Sequence, residues 1–228
     1  VIPDEKKLAA SIDHTLLLPT ATQEQIIQLC KEAVDYGFGT VCVNPRWVSF
    51  VADRLTGTGV KTAAAISLPL GADTTKIKTS AAKEAIFDGA DEIDMVADLA
   101  AIVENDQRYL SGQFSAVLRV CRAMKPSVIL KVIIESAALT LNQKLFACRI
   151  ADICAVDFIK TSTGIHPAGG ATIEDVRLIK ETAPNCKVKA SGGIKTAKQA
   201  IEFLEAGADR IGTSSGVEII NQFRAGQV

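Results

Sequence analysis

The sequence predicts an α/β fold, a (β/α)8 TIM barrel that occupies residues 1–228 as a single domain. Three observations predict it. Strand-like and helical patterns alternate from end to end, the mark of a parallel sheet wrapped by helices. Eight short runs read as strands, several of them apolar on both faces, as strands covered by helices are. A Gly-Ala-Asp turn recurs in register before some of these runs. No Pro-, Gly- or Ser-rich linker interrupts the alternation, so one barrel accounts for the whole chain.

In chain order, the first strand is expected over 11–17. Thr22-Gln23-Glu24-Gln25 then forms a capping box, a hydroxyl at the helix start answered by a glutamine three residues on. Ile26, Leu29, Cys30, Ala33 and Val34 follow at helical spacing, and Gly37 ends that helix. The next strands are expected over 40–43, 61–67, 92–96, 129–135 and 158–162. Thr172-Ile173-Glu174-Asp175 resembles a further helix start, with a shorter acid at its last position. Strand 187–191 leads to a second capping box, Thr196-Ala197-Lys198-Gln199, whose helix closes at Gly207, and strand 210–213 completes the set.

The repeat also fixes which side chains face inward. Gly89-Ala90-Asp91-Glu92-Ile93-Asp94 matches Gly207-Ala208-Asp209-Arg210-Ile211-Gly212, with looser copies ending at Lys160 and Cys42. Cys42, Asp94, Lys160 and Gly212 thus take equivalent places on the second, fourth, sixth and eighth strands. Alternate strands of such a barrel contribute to one interior layer. Side chains alternate along a strand, so Asp94, Phe158 and Lys160 face inward while Ile93, Met95 and Ile159 face the helices.

Two lysines draw attention to chemistry. Lys160 and Lys189 each stand where an apolar run meets a Ser/Thr/Gly-rich loop, the end of a parallel strand at which such folds place their sites. Adjacent strands lie about 4.8 Å apart, which brings the two amines together. An ammonium beside a second one is easier to deprotonate, and a neutral lysine amine is a nucleophile toward carbonyls. A lone strand-end lysine is usually just solvated; two on adjacent strands with an interior Asp94 point to a covalent, imine-forming enzyme. Lys131, inside the apolar run 129–135, needs a partner if buried, and Asp94 one strand earlier is the natural one. That pair either neutralises itself structurally, the favoured reading, or relays protons. Glu135 is a further candidate acid or base.

The last loops read as a phosphate cradle. Gly192 and Gly193 follow the seventh strand, Ser214 and Ser215 follow the eighth and open a helix, and Gly164 follows the sixth. Glycine amides, serine hydroxyls and a helix N-terminus together favour an anion. Ordinary helix capping explains one serine but not two neighbouring glycine-rich loops.

Composition excludes other classes. At 48% hydrophobic and 22% charged the chain can build one large core, and its net charge of −1 without charged blocks carries no nucleic-acid footprint. No apolar run is long enough for a membrane span, and Val1-Ile2-Pro3-Asp4-Glu5-Lys6-Lys7 lacks a signal-peptide pattern. None of the six cysteines is spaced as Cys-x-x-Cys, so buried free thiols in a cytoplasmic protein are expected. With only His14 and His166, a three-histidine zinc site is excluded, and no metal or other cofactor is expected.

These motifs resemble one family closely. Ile12-Asp13-His14-Thr15-Leu16-Leu17, Val41-Cys42-Val43-Asn44-Pro45, Pro69-Leu70-Gly71-Ala72, and the segments around Asp94, Lys131, Lys160, Lys189 and Gly212 look like deoxyribose-phosphate aldolase over nearly the whole chain. The resemblance implies a metal-free class I aldolase that reversibly cleaves 2-deoxy-D-ribose 5-phosphate to acetaldehyde and D-glyceraldehyde 3-phosphate. It implies Lys160 as the imine-forming lysine, Lys189 as the residue that eases its deprotonation, and Asp94 as the acid/base group. Lys131 and Asp13 would border that network, and Gly164, Gly192, Gly193, Ser214 and Ser215 would hold phosphate. The partners implied are phosphosugars, small aldehydes and, as in many members, a second copy of the chain. Departures fall at Ile165, where some members carry a lysine, at Ser67-Leu68, at Ala81 and at Ala97-Asp98-Leu99-Ala100. Two rival readings remain at this point: another Schiff-base aldolase or transaldolase-like enzyme, and a non-catalytic phosphosugar-binding barrel.

Overall fold

A computed structural model describes residues 4–125 and 128–227, so the opening Val1-Ile2-Pro3 of the leader reading lies outside the described residues. Eight parallel strands close into a barrel in chain order: β1 (Ile12–Leu16), β2 (Thr40–Val43), β3 (Lys61–Ile66), β4 (Glu92–Val96), β5 (Ile129–Ile133), β6 (Phe158–Lys160), β7 (Lys187–Ser191) and β8 (Arg210–Thr213), which pairs back to β1. Helix α1 (Glu5–Ala10) precedes the barrel. Its wall comprises α2 (Gln23–Tyr36), α3 (Val48–Leu55), α4 (Thr75–Phe87), α5 (Leu99–Val103), α6 (Gln107–Met124), α7 (Leu141–Ile153), α8 (Ile173–Thr182), α9 (Ala197–Glu205) and α10 (Gly216–Arg224).

Four strands have the expected bounds, and the others stop early for a physical reason. The runs 61–67 and 129–135 end when Ser67 and Glu135 turn to left-handed backbone, each at φ 54°, which breaks the ladder. The run 158–162 pairs regularly only to Lys160, although the Thr161 amide still donates to the Lys189 carbonyl at 3.0 Å. The run 11–17 loses one residue at each end.

Both capping boxes form, at Thr22 and Thr196, and Gly37 ends α2 in the left-handed conformation. Thr172 caps α8, but Asp175 does not answer it; its carboxylate turns to Lys144 at 2.6 Å. A box that the pattern did not flag starts α7, where the Gln143 side chain accepts from the Thr140 amide at 2.8 Å.

The helices cover a layer of buried apolar side chains from the outer face of the strands, including Ile93, Met95, Leu130, Ile159, Val188 and Ile211. The inner face differs. Its layers read Thr40, Glu92, Phe158 and Arg210; then Asp13, Ala63, Lys131 and Lys189; then Cys42, Asp94, Lys160 and Gly212. The expected top layer is therefore present. Where most barrels are filled by branched apolar residues, this one is filled largely by paired charge.

Candidate active site

Three ammonium groups converge on one carboxylate. Asp94 Oδ2 accepts from Lys160 Nζ at 2.9 Å and from Lys189 Nζ at 2.7 Å, while Oδ1 accepts from Lys131 Nζ at 2.9 Å. β4 supplies the acid and β5, β6 and β7 the bases, with Lys160 and Lys189 as direct Cα partners across β6 and β7. Gly212 makes this crossing fit: a Cβ there would lie 2.9 Å from Lys189 Cε, so the missing side chain in the top layer is the channel for the Lys189 stem. The Cys42 thiol completes the layer, 3.9 Å from Asp94 Oδ2.

A second carboxylate underlies the first. Asp13 Oδ2 lies 2.5 Å from Lys189 Nζ and 3.3 Å from Lys131 Nζ, and Lys131 also pairs with Glu92. Asp13 Oδ1 accepts from Arg210 at 2.8 Å. The expected pair of Lys131 and Asp94 is thus real but incomplete, because Lys131 serves three carboxylates. Arg210 and Glu92 were not anticipated as members.

At Asp13, Asp94, Lys131 and Lys189 burial and counter-charge oppose each other, and counter-charge wins. Burial disfavours the Asp94 carboxylate, yet Lys131, Lys160 and Lys189 hold it well below the usual range. Asp13 is likewise lowered against its burial by Lys131, Lys189 and Arg210. Burial works against the Lys131 ammonium, but Asp13, Asp94 and Glu92 raise it well above the ordinary lysine value. Lys189 is raised in the same way by Asp13 and Asp94. Burial, reinforced by Asp94, pushes the Cys42 thiol up, so it stays protonated at neutral pH.

Of the three barrel lysines, Lys160 lines an open cavity of about 410 Å³; Lys131 and Lys189 lie beneath it, fully buried. Gly164, Gly192, Gly193 and Ser214 line the same cavity. Gly192 and Gly193 both have positive φ, at 92° and 81°, a turn of the backbone that glycine adopts without steric cost. Ser215 stands behind them at the start of α10, its amide donated to Thr213 Oγ1 at 2.9 Å, and is not part of the lining. Lys195, on the loop after Gly192-Gly193, also lines the cavity. Sequence reasoning passed over it; a lone basic residue just past a glycine pair was the available signal. Ile165 sits at the rim, about half exposed.

Two motif neighbours fall outside this cluster. Glu135 is fully buried and accepts from the Thr163 amide at 3.2 Å and its hydroxyl at 2.6 Å, so it fastens the loop after β6. His14 faces the helices and meets Glu32 at 2.7 Å.

Residues 7–222 match the family described as DeoC/LacD family aldolase. Among curated relatives, the chain is 47% identical over 220 residues to deoxyribose-phosphate aldolase of Thermococcus kodakarensis, covering 95% of this chain and 97% of that one. Among solved structures, it superposes on an aldolase designated QR15 with a TM-score of 0.89 at 38% identity, covering 96% and 97% of the two chains. It also matches the tetrameric deoxyribose phosphate aldolase of Aeropyrum pernix, with a TM-score of 0.89 at 30% identity over 97% of this chain and 92% of that one.

Proposed function

The chain belongs to the DeoC/LacD family of aldolases, and from this premise we infer that it reversibly cleaves 2-deoxy-D-ribose 5-phosphate to acetaldehyde and D-glyceraldehyde 3-phosphate through an imine on Lys160. One observation carries the assignment of Lys160: its amine and that of Lys189 share Asp94 Oδ2 at the base of a cavity walled by Gly192, Gly193 and Ser214.

The charge count supplies the nucleophile. Lys131, Lys189 and Arg210 are balanced by Asp13, Glu92 and Asp94. A positive charge on Lys160 is one too many, and its amine has a single carboxylate oxygen and access to the cavity. Asp94 lies between the two amines, so Lys160 and Lys189 meet through that carboxylate rather than ammonium to ammonium.

Neutral Lys160 Nζ attacks the C1 aldehyde of the sugar. Lys189 is held protonated by its carboxylates and supplies the proton with which the carbinolamine hydroxyl leaves as water. The protonated imine then accepts the C2–C3 bonding electrons as the C3 hydroxyl gives its proton to Asp94, through water. Glyceraldehyde 3-phosphate departs and a neutral enamine remains. Loss of that positive charge removes a cation from beside Asp94, so the carboxylate becomes a better base as the cleavage proceeds. Protonation of the enamine at C2 and hydrolysis return acetaldehyde and the free amine. The phosphate is held by the Gly164, Gly192-Gly193 and Ser214 loops, with Ser215 placing the α10 N-terminus behind them and Lys195 supplying the cation that Ile165 does not.

The partners are small phosphosugars and aldehydes, and a homodimer is the assembly to be checked by light scattering. Six free thiols, five of them buried, fit a reducing cytoplasm. Borohydride reduction in the presence of acetaldehyde tests the reading. A two-carbon adduct is expected on Lys160, and Lys160→Ala is expected to abolish acetaldehyde release while still binding inorganic phosphate. Near-normal turnover by that variant refutes the assignment; unmodified protein that binds phosphate favours a non-catalytic phosphosugar-binding barrel.

A further inference from the structure

The column of charge continues below the catalytic layer to the opposite end of the barrel. Arg210, at the start of β8, donates to Asp13 Oδ1 at 2.8 Å and Thr40 Oγ1 at 3.0 Å, and its other terminal nitrogen lies 3.3 Å from Glu92 Oε1. Its side chain is 18% exposed, and its guanidinium points inward to these three partners. Glu92 divides its carboxylate, with Oε1 to Arg210 and Oε2 to Lys131. The chain leaves room for this arrangement: a Cβ on Gly39 would stand 2.6 Å from the guanidinium and 2.3 Å from the Ala10 carbonyl oxygen. An unbroken path of ion pairs therefore runs Lys160, Asp94, Lys131, Glu92, Arg210.

We propose that Arg210 and Glu92 are positioning residues for the reaction: from the far end of the barrel they set the charge balance that makes the Lys160 amine yield its proton. This rests on the reading of Lys160 as the imine-forming residue. A guanidinium does not titrate in the working range, so Arg210 contributes a constant positive charge. Glu92 contributes the opposite sign. The other charged or titratable groups facing this interior are Asp13 from β1, Cys42 from β2, Asp94 from β4, Lys131 from β5 and Lys189 from β7. Lys187 stacks over the Phe158 ring at 5.7 Å, near the barrel floor. β3 brings Ala63 and Ala65, which carry no charge, and begins with Lys61, exposed at the barrel floor.

Removing Arg210 deletes the surplus positive charge, and removing Glu92 doubles it. The two changes therefore act in opposite directions on the same amine. For charges roughly 10 Å apart at an effective dielectric of about 20, each shift is about one pH unit. A plug that merely closed the barrel floor predicts lost stability in both variants and no opposed movement.

The test follows the pH midpoint of acetaldehyde adduct formation on Lys160, trapped with borohydride and read by mass spectrometry. Arg210→Gln is expected to move the midpoint up by about one unit and Glu92→Gln down by about as much. The double variant restores the count and is expected to return to the wild-type midpoint despite losing both contacts, and Arg210→Lys to stay close to it. Should Arg210→Gln not fold, as judged by its melting curve, Glu92→Gln and the double variant still decide. Coincident midpoints, or single variants moving the same way, overturn the proposal. Absence of any Lys160 adduct in the wild type overturns the premise instead, and is distinguishable because it appears before any variant is compared.

Discussion

Lys131 inside the barrel and Lys78 on α4 are both fully buried, and their ammonium groups are driven in opposite directions. Lys131 meets three carboxylates and is raised well above the ordinary lysine value. Lys78 donates to the Val96 carbonyl at 2.7 Å and to Gln113 Oε1 at 2.9 Å, both neutral groups. Burial dominates there, only partly offset by Asp98 and Asp73, and pushes it down to about 8. Both side chains satisfy hydrogen bonds, so hydrogen bonding does not separate them. Desolvation is the common cost, and the count of nearby carboxylates decides its outcome. The barrel is built to hold charge, whereas the helical layer uses one lysine to tie the end of β4 to α6.

The comparison breaks most severely at Asp94. Asp94→Asn keeps the shape of the side chain but leaves three buried ammonium groups facing a neutral amide. Removing one partner of a buried ion network costs about 3–5 kcal/mol. Urea unfolding is expected to show a loss of that size, and acetaldehyde release to fall with it; a variant as stable as wild type would mean that the interior charges are not mutually compensated. Lys189→Leu is the next largest. It leaves Asp13 with Lys131 and Arg210, and Asp94 with Lys131 and Lys160, so no carboxylate is abandoned. Three cations then face three carboxylates, the surplus is gone, and the acid limb of the pH–rate profile is expected to move upward. An unchanged profile counts against any role for Lys189 in readying Lys160.

Much of the barrel and part of its site were legible because they depend on local rules. Strand periodicity and the Gly-Ala-Asp register placed Asp94 and Lys160 in one layer, and the gap at Gly212 turned out to be the passage for Lys189. Asp13 was reached through family resemblance alone, because nothing in its own segment shows that it lies under Lys189. Arg210 and Glu92 stood in the aligned repeat without a role of their own; their inward facing matters only once the barrel closes β8 onto β1 and sets both beside Asp13 and Lys131. Glu135 lay where an acid or base was expected, yet its left-handed backbone aims it at Thr163. Lys78 and Gln113 meet across two helices, and no periodicity in either helix reports a contact between them.

The smallest expected effect tests the Lys78 side of the comparison. Lys78→Met removes a buried ammonium but leaves the Val96 carbonyl and Gln113 Oε1 without that donor, a cost of about 1–3 kcal/mol at neutral pH. Its pH dependence is the sharper readout. Lys78 loses its proton at about 8 in the folded chain and at the ordinary 10.5 when unfolded. Between those values the unfolded state binds more protons, so wild-type stability gains with rising pH by up to about 1.4 kcal/mol per unit, and the variant does not share that gain. Lys131 and Lys189 do not obscure the window. Their folded values lie above the ordinary one, so the stability they contribute is intact below about 10.5 and is lost only as pH climbs through the raised values. Urea unfolding of wild type and Lys78→Met at several pH values from 7 to 10 is therefore expected to show a widening gap. A constant gap would mean that the Lys78 proton is held as firmly as those in the barrel, and that carboxylates are not what distinguishes the two regions.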